Sequence, residues 1–155
     1  PLRRQRQMCI RDSAFRLYKQ GENGEMKPLE ALKYLLISEK GCADTDHVHE
    51  LQTPDGRLPL KTTTFDHDAF IIDNQQVSKV VLESCEGEPF VSLEFNTPAL
   101  GLWSPAGLNA PFVCIEPWYG RCDRAGFTGE FSEKDLVNAV APGQSFRASY
   151  TIEVF

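Results

Sequence analysis

The stretch Ala110–Asp123, APFVCIEPWYGRCD, sets one carboxylate inside an apolar run. Read as a strand, Phe112, Cys114 and Glu116 share one face, and Val113 and Ile115 share the other. Pro117 is expected to stop that strand, with Trp118-Tyr119-Gly120 turning the chain. A carboxylate at the mouth of a buried strand, walled by aromatics, costs free energy unless it has a partner or a task. Such a setting suits a general base working near neutral pH. It equally suits a structural carboxylate that accepts a bond from a nearby amide.

Three kinds of chemistry could be built around it. A metal site would use His47 and His49 in DTDHVHE, because two His at i and i+2 on a strand point the same way. Gly41 stands six positions before His47, as in the first motif of cupins, but Thr53 and Pro54 occupy the places where that motif carries its Glu. Ala110 stands where its third His would be, so a solvated acidic loop is the better account, and no metal and no cofactor is expected. Nucleophilic catalysis by Cys114 lacks a His nearby in sequence, and a neighbouring carboxylate disfavours the thiolate. There is no Gly-rich phosphate loop and no GxSxG elbow. Sugar chemistry needs a carboxylate base, polar groups for hydroxyls and aromatic faces for a pyranose ring. Glu116, Asp68, Trp103, Trp118 and Tyr119 supply those types, although either Trp could serve packing alone.

Strands must position these groups. Phe90–Phe95 alternates, with Val91, Leu93 and Phe95 expected inward and Ser92 and Glu94 outward. Ser145–Phe155 alternates over its whole length, after a turn at Pro142-Gly143. Ala14–Tyr18, Ala31–Ser38, Asp68–Ile72, Val77–Ser84, Leu100–Ser104 and Phe112–Glu116 read as further strands, and Glu39–Pro59 as turn-rich loop. Only Ser132–Ala139 suggests a helix, with Ser132 as its N-cap. Short strands at even spacing predict an all-β, antiparallel sandwich or barrel.

The 155 residues suffice for one ordinary domain. The net charge is −6, and Arg3, Arg4, Arg6 and Arg11 crowd the first thirteen positions, so the rest is more acidic still. An acidic body argues against nucleic acid and anionic membranes as partners. Five Cys without a framework spacing indicate neither a zinc ribbon nor a disulfide scaffold, which suggests a reducing, cytoplasmic setting. No apolar run is long enough to span a bilayer. Residues 1–13 have no strand alternation, and RQRQMCIRDS resembles translated sequencing-adapter read-through. They are expected to be a non-native artefact, with residues 14–155 forming the domain.

The string FVCIEPWYGRCD, with LGLWS before it and PGQSFRASYTIEVF after it, resembles the C-terminal part of the aldose 1-epimerase family, in the galactose mutarotase-like group. LPLKTTTFDHDAFII is similar to that family's segment ahead of the site. The resemblance covers about residues 14–155. It implies a β-sandwich (a supersandwich) truncated at its N-terminus, binding a small-molecule sugar, an aldohexose or a sugar phosphate, in a concave face. It also implies an isomerase that interconverts α and β anomers, with a Glu as base and a His as acid. Glu116 matches the base, and Asp68 the sugar-binding carboxylate, with Asp66 as the competing alignment. Trp103 and Trp118 would line the sugar. The family's acid His belongs to a His-Pro segment that would fall just before Ala14, where Asp12 and Ser13 stand. The acid is therefore expected to be missing and the activity impaired. A non-catalytic carbohydrate-binding sandwich and a cupin-like metal protein are the competing readings.

Overall fold

Alternating burial and antiparallel pairing organise the chain. The computed structural model describes residues 13–38, 40–108 and 110–155, so the suspected artefact lies outside them except for Ser13. Eleven strands run in chain order: β1 Ser13–Gln20, β2 Met26–Pro28, β3 Ala31–Tyr34, β4 His49–Gln52, β5 Arg57–Pro59, β6 Phe70–Ile72, β7 Lys79–Ser84, β8 Pro89–Phe95, β9 Ala99–Trp103, β10 Cys114–Trp118 and β11 Tyr150–Val154. The larger sheet has the order β11-β8-β7-β1-β2, with β5 pairing on β1. A three-stranded sheet has the order β10-β9-β6, and β3 pairs with β4. Reciprocal backbone bonds between Leu35 and Ile71 tie the end of β3 to β6.

The core lies between these layers. Phe15 and Leu17 from β1 and Val80 from β7 meet Phe70, Ile72, Leu100 and Leu102 from the three-stranded sheet. Each fully buried side chain of this size contributes roughly 1.5–3 kcal/mol. The opposite face of the three-stranded sheet has its own small cluster of Leu35, Ala43 and Ile71, against which Trp118 and Cys122 pack. That face carries the candidate site. The fold is thus all-β and antiparallel, as the sequence leads one to expect.

Several local expectations need correction. The strand expected over Ala14–Tyr18 is longer, Ser13–Gln20, with Ser13 opposite Ser84. The turn-rich reading of residues 39–59 missed β4 and β5, because both are short and polar and hold their shape only through β3 and β1. Ser92 is buried as well as Phe95, since it lies between Val81 and Glu153 in the ladder rather than facing water. The expected helix reduces to a 3₁₀ turn at Phe131–Glu133. Its N-cap is Glu130, whose reciprocal bonds with Glu133 form the capping box. Lys134 is already extended and Leu136 has φ +58°, so a helix cannot propagate. The last strand spans only Tyr150–Val154, because Tyr150 is opposite Phe95, where β8 ends. All five residues of β11 are exposed, on both faces.

Candidate active site

The site face is set by register. On β10 and β9, Glu116 is opposite Gly101, Cys114 opposite Trp103 and Trp118 opposite Ala99. On the next strand Gly101 is opposite Ile71. Period-two alternation therefore puts Cys114, Glu116, Trp118, Trp103 and Ile71 on one side and Ile115, Leu102, Leu100 and Phe70 on the core side. Contrary to the sequence reading, β10 does not stop at Pro117 but runs on to Trp118. It is an edge strand of the three-stranded sheet, and an edge tolerates the N–H that proline lacks.

The indole of Trp118 is held in place from two sides. Gly101 gives it room: a Cβ there would lie 2.4 Å from Trp118 Cζ2. Trp118 Nε1 then donates to Glu116 Oε2 at 3.2 Å. Glu116 is half-buried. Burial, and next the Glu116 carboxylate beside it, push the Cys114 thiol above its ordinary value, which disfavours Cys114 as a nucleophile. Trp103 is half-buried, and its ring centroid is 6.2 Å from that of Phe112. Glu116, Trp118 and Trp103 thus share one sheet face.

Asp68 is less closely joined to them. It sits in the turn just before β6, exposed, at φ +73°, and its Oδ1 accepts from the Ala69 N–H at 2.7 Å. Asp66, the competing residue, is exposed in the same turn. The three His have other surroundings. His47 bonds with Asp44, each shifting the other towards its charged form, His49 stacks on Tyr34 at 5.2 Å, and His67 is exposed. Among the described residues no group of three His, Cys, Asp or Glu side chains is arranged to hold a metal.

No local pattern in the sequence marks Arg121 as buried. Its side chain is only 5% exposed. It donates to Asp135 at 2.8 Å, and its Nε lies 3.7 Å from Asp73. Arg124 joins the same Asp135 and is more exposed. No local signal could have revealed the pairing, because Asp73 is far from Arg121 along the chain and adjacent only after β6 and β10 share a sheet.

Comparison with solved structures decides the architecture. The chain superposes on a galactose mutarotase related enzyme from Lactobacillus acidophilus with a TM-score of 0.77 and 23% identity, over 94% of this chain and 46% of that one. The fold is galactose mutarotase-like. A galactose mutarotase-like protein from Lactobacillus casei gives a TM-score of 0.64 and 21% identity, over 92% of this chain and 44% of that one. By sequence, the chain is 30% identical over 98 residues to the chromosomal LacX protein of Lactococcus lactis subsp. lactis, covering 63% of this chain and 32% of that protein. The plasmid LacX protein of the same organism matches to the same extent. The chain therefore spans about a third of the length of these curated relatives and under half that of the solved neighbours. No family model matches it. No helix among the described residues is long and apolar enough to cross a membrane.

Proposed function

We infer that the protein is aldose 1-epimerase-like and that Glu116 is its general base. In this reading the carboxylate takes the proton from the anomeric hydroxyl of an aldose. The ring opens, C1 rotates, and closure on the other face gives the second anomer. The observation that carries the reading is the setting of Glu116: half-buried, on an aromatic face of a mutarotase-like sheet, with a neutral indole donor. One carboxylate oxygen accepts from Trp118 while the group keeps acceptor capacity for a sugar hydroxyl. Trp103 and Trp118 serve as faces for the ring, and Asp68 as the more distant carboxylate that binds its hydroxyls. No cofactor enters this chemistry, and the proposed setting is cytoplasmic.

The reading includes an incomplete catalytic pair. In this reading none of His47, His49 and His67 is the acid, because the resemblance matches that role to none of them. Loss of one member of an acid–base pair costs about 10²–10⁴ in rate. The test is polarimetry on fresh α-D-glucose or α-D-galactose, using a longer parent chain that supplies a His-Pro pair before Ala14. The parent should outpace buffer, and Glu116→Gln should return it to the buffer rate. A parent no faster than buffer on any aldose or sugar phosphate sinks the enzyme reading. Saturable sugar binding without mutarotation would then favour the second reading, a non-catalytic carbohydrate-binding sandwich, which the missing acid His also fits.

A further inference from the structure

The outer edge of the larger sheet differs from its centre. β11 ends the strand order and pairs with β8 alone. Val80, Leu93 and Ile152 lie in one row across β7, β8 and β11. Along that row Val80 is fully buried while Ile152 is 55% exposed, so the core face of the sheet runs out into solvent at β11. Tyr150, Val154 and Phe155 are exposed as well. An uncovered apolar edge strand is a template for pairing with another chain.

The backbone decides which peptide groups are on offer. The Phe155 N–H donates to the Phe90 carbonyl at 3.2 Å. Antiparallel bonds alternate along a strand, so Thr151 and Glu153 also turn their peptide groups to β8, while Tyr150, Ile152 and Val154 turn theirs to the free edge. The sequence alternates over 145–155, whereas β11 covers only Tyr150–Val154. Residues 145–149 are exposed and belong to no ladder, because β8 ends opposite Tyr150. A two-fold axis at Tyr150 gives every one of them a partner in a second copy. It sets Arg147 opposite Glu153, twice by symmetry, and Phe146 opposite Val154. The charged pairs then fall at non-hydrogen-bonded positions, where side chains across strands come closest. An axis at Thr151 or Ile152 also matches the free peptide groups, but it leaves Glu153 facing Ser149 or Thr151. Among the described residues neither Arg147 nor Glu153 has an ion-pair partner within the chain.

We propose that the protein forms a two-fold dimer through β11, in which residues 145–155 pair antiparallel with their own copy about Tyr150. The partner is a second copy because the strand is complementary to itself: each Arg147 meets the Glu153 of the other chain, as a two-fold interface requires. The two larger sheets become one, and the even-numbered apolar residues of both strands form a shared stripe on its core face. The test is sedimentation equilibrium of the full chain over a range of concentrations. The unaltered chain should pass from monomer to dimer and no further. Arg147→Glu and Glu153→Arg each turn both cross-strand attractions into repulsions and should raise the dissociation constant at least about tenfold. Both side chains are exposed, so neither change touches the core. An equimolar mixture of the two variants should associate as tightly as the unaltered chain, because one carries only acids at these two positions and the other only arginines. The double variant, with the charges exchanged, should do the same. A chain that stays monomeric at every concentration, single variants that associate undiminished, or a mixture no better than its components would overturn the dimer.

Discussion

Glu83 and Glu116 are both strand carboxylates, yet their surroundings differ in kind. Glu83, on β7, is 3% exposed and accepts from Arg16 Nε at 2.9 Å, Arg16 Nη2 at 3.1 Å and Arg57 Nε at 3.0 Å. Asp55 adds a second carboxylate to Arg16, and Glu83 is the main reason the Arg16 guanidinium holds its proton above the ordinary value. Glu116 is half-buried and accepts from one neutral N–H. Charge-assisted bonds are roughly twice as strong as neutral ones. Glu83 is therefore saturated and fixed, and no substrate proton can reach it. Glu116 is oriented without being neutralised. Burial alone does not separate a closed structural carboxylate from the proposed base, because what matters is who fills the lone pairs.

The largest expected effect breaks the first member of this pair. Glu83→Ala takes the carboxylate from Arg57 and leaves Arg16 only the exposed Asp55, and should cost about 3 kcal/mol of unfolding free energy. Glu116→Gln should cost less than about 1 kcal/mol, because the Gln amide oxygen can still accept from the Trp118 N–H. Urea midpoints of the two variants measure the contrast, and equal losses would erase it. Next, Gly101→Val puts a side chain into the Trp118 ring and should cost about 1–3 kcal/mol. It should also change the near-ultraviolet circular dichroism of the displaced indole, and an unchanged spectrum would refute the packing described. Trp118→Phe keeps much of the ring but removes the donor to Glu116, for a loss of about 1 kcal/mol. Sugar affinity should fall with it if the indole orients the base.

The smallest effect is a change in reactivity. In a variant whose only thiol is Cys114, alkylation should need a higher pH than for a free thiol, because burial first and Glu116 second oppose its ionisation. Adding Glu116→Gln removes the second cause and keeps the first. The rate–pH curve should then move to lower pH without reaching the free-thiol curve. A curve that does not move would place the carboxylate away from Cys114.

Much of this was legible in the residues. Alternation in VSLEF and YTIEV placed β8 and β11, and FVCIE placed the carboxylate on a strand face with Cys114, because a side-chain period of two is a property of the extended chain itself. Where polar strands have no alternation, as in HELQ and RLP, nothing local distinguishes them from loop. They become strands only when a neighbour supplies the ladder bonds.

By itself, then, the sequence determined the all-β class, the main strands and the placing of Glu116 with Cys114 on one strand face. Tertiary structure alone decided that Pro117 stays within an edge strand, that Gly101 makes room for the indole, that Arg121 is buried against Asp73 and Asp135, and that Glu83 is closed by two arginines while Glu116 is not. Those outcomes depend on residues tens of positions apart becoming neighbours, and their energies come from burial and charge pairing that exist only after the sheets have formed.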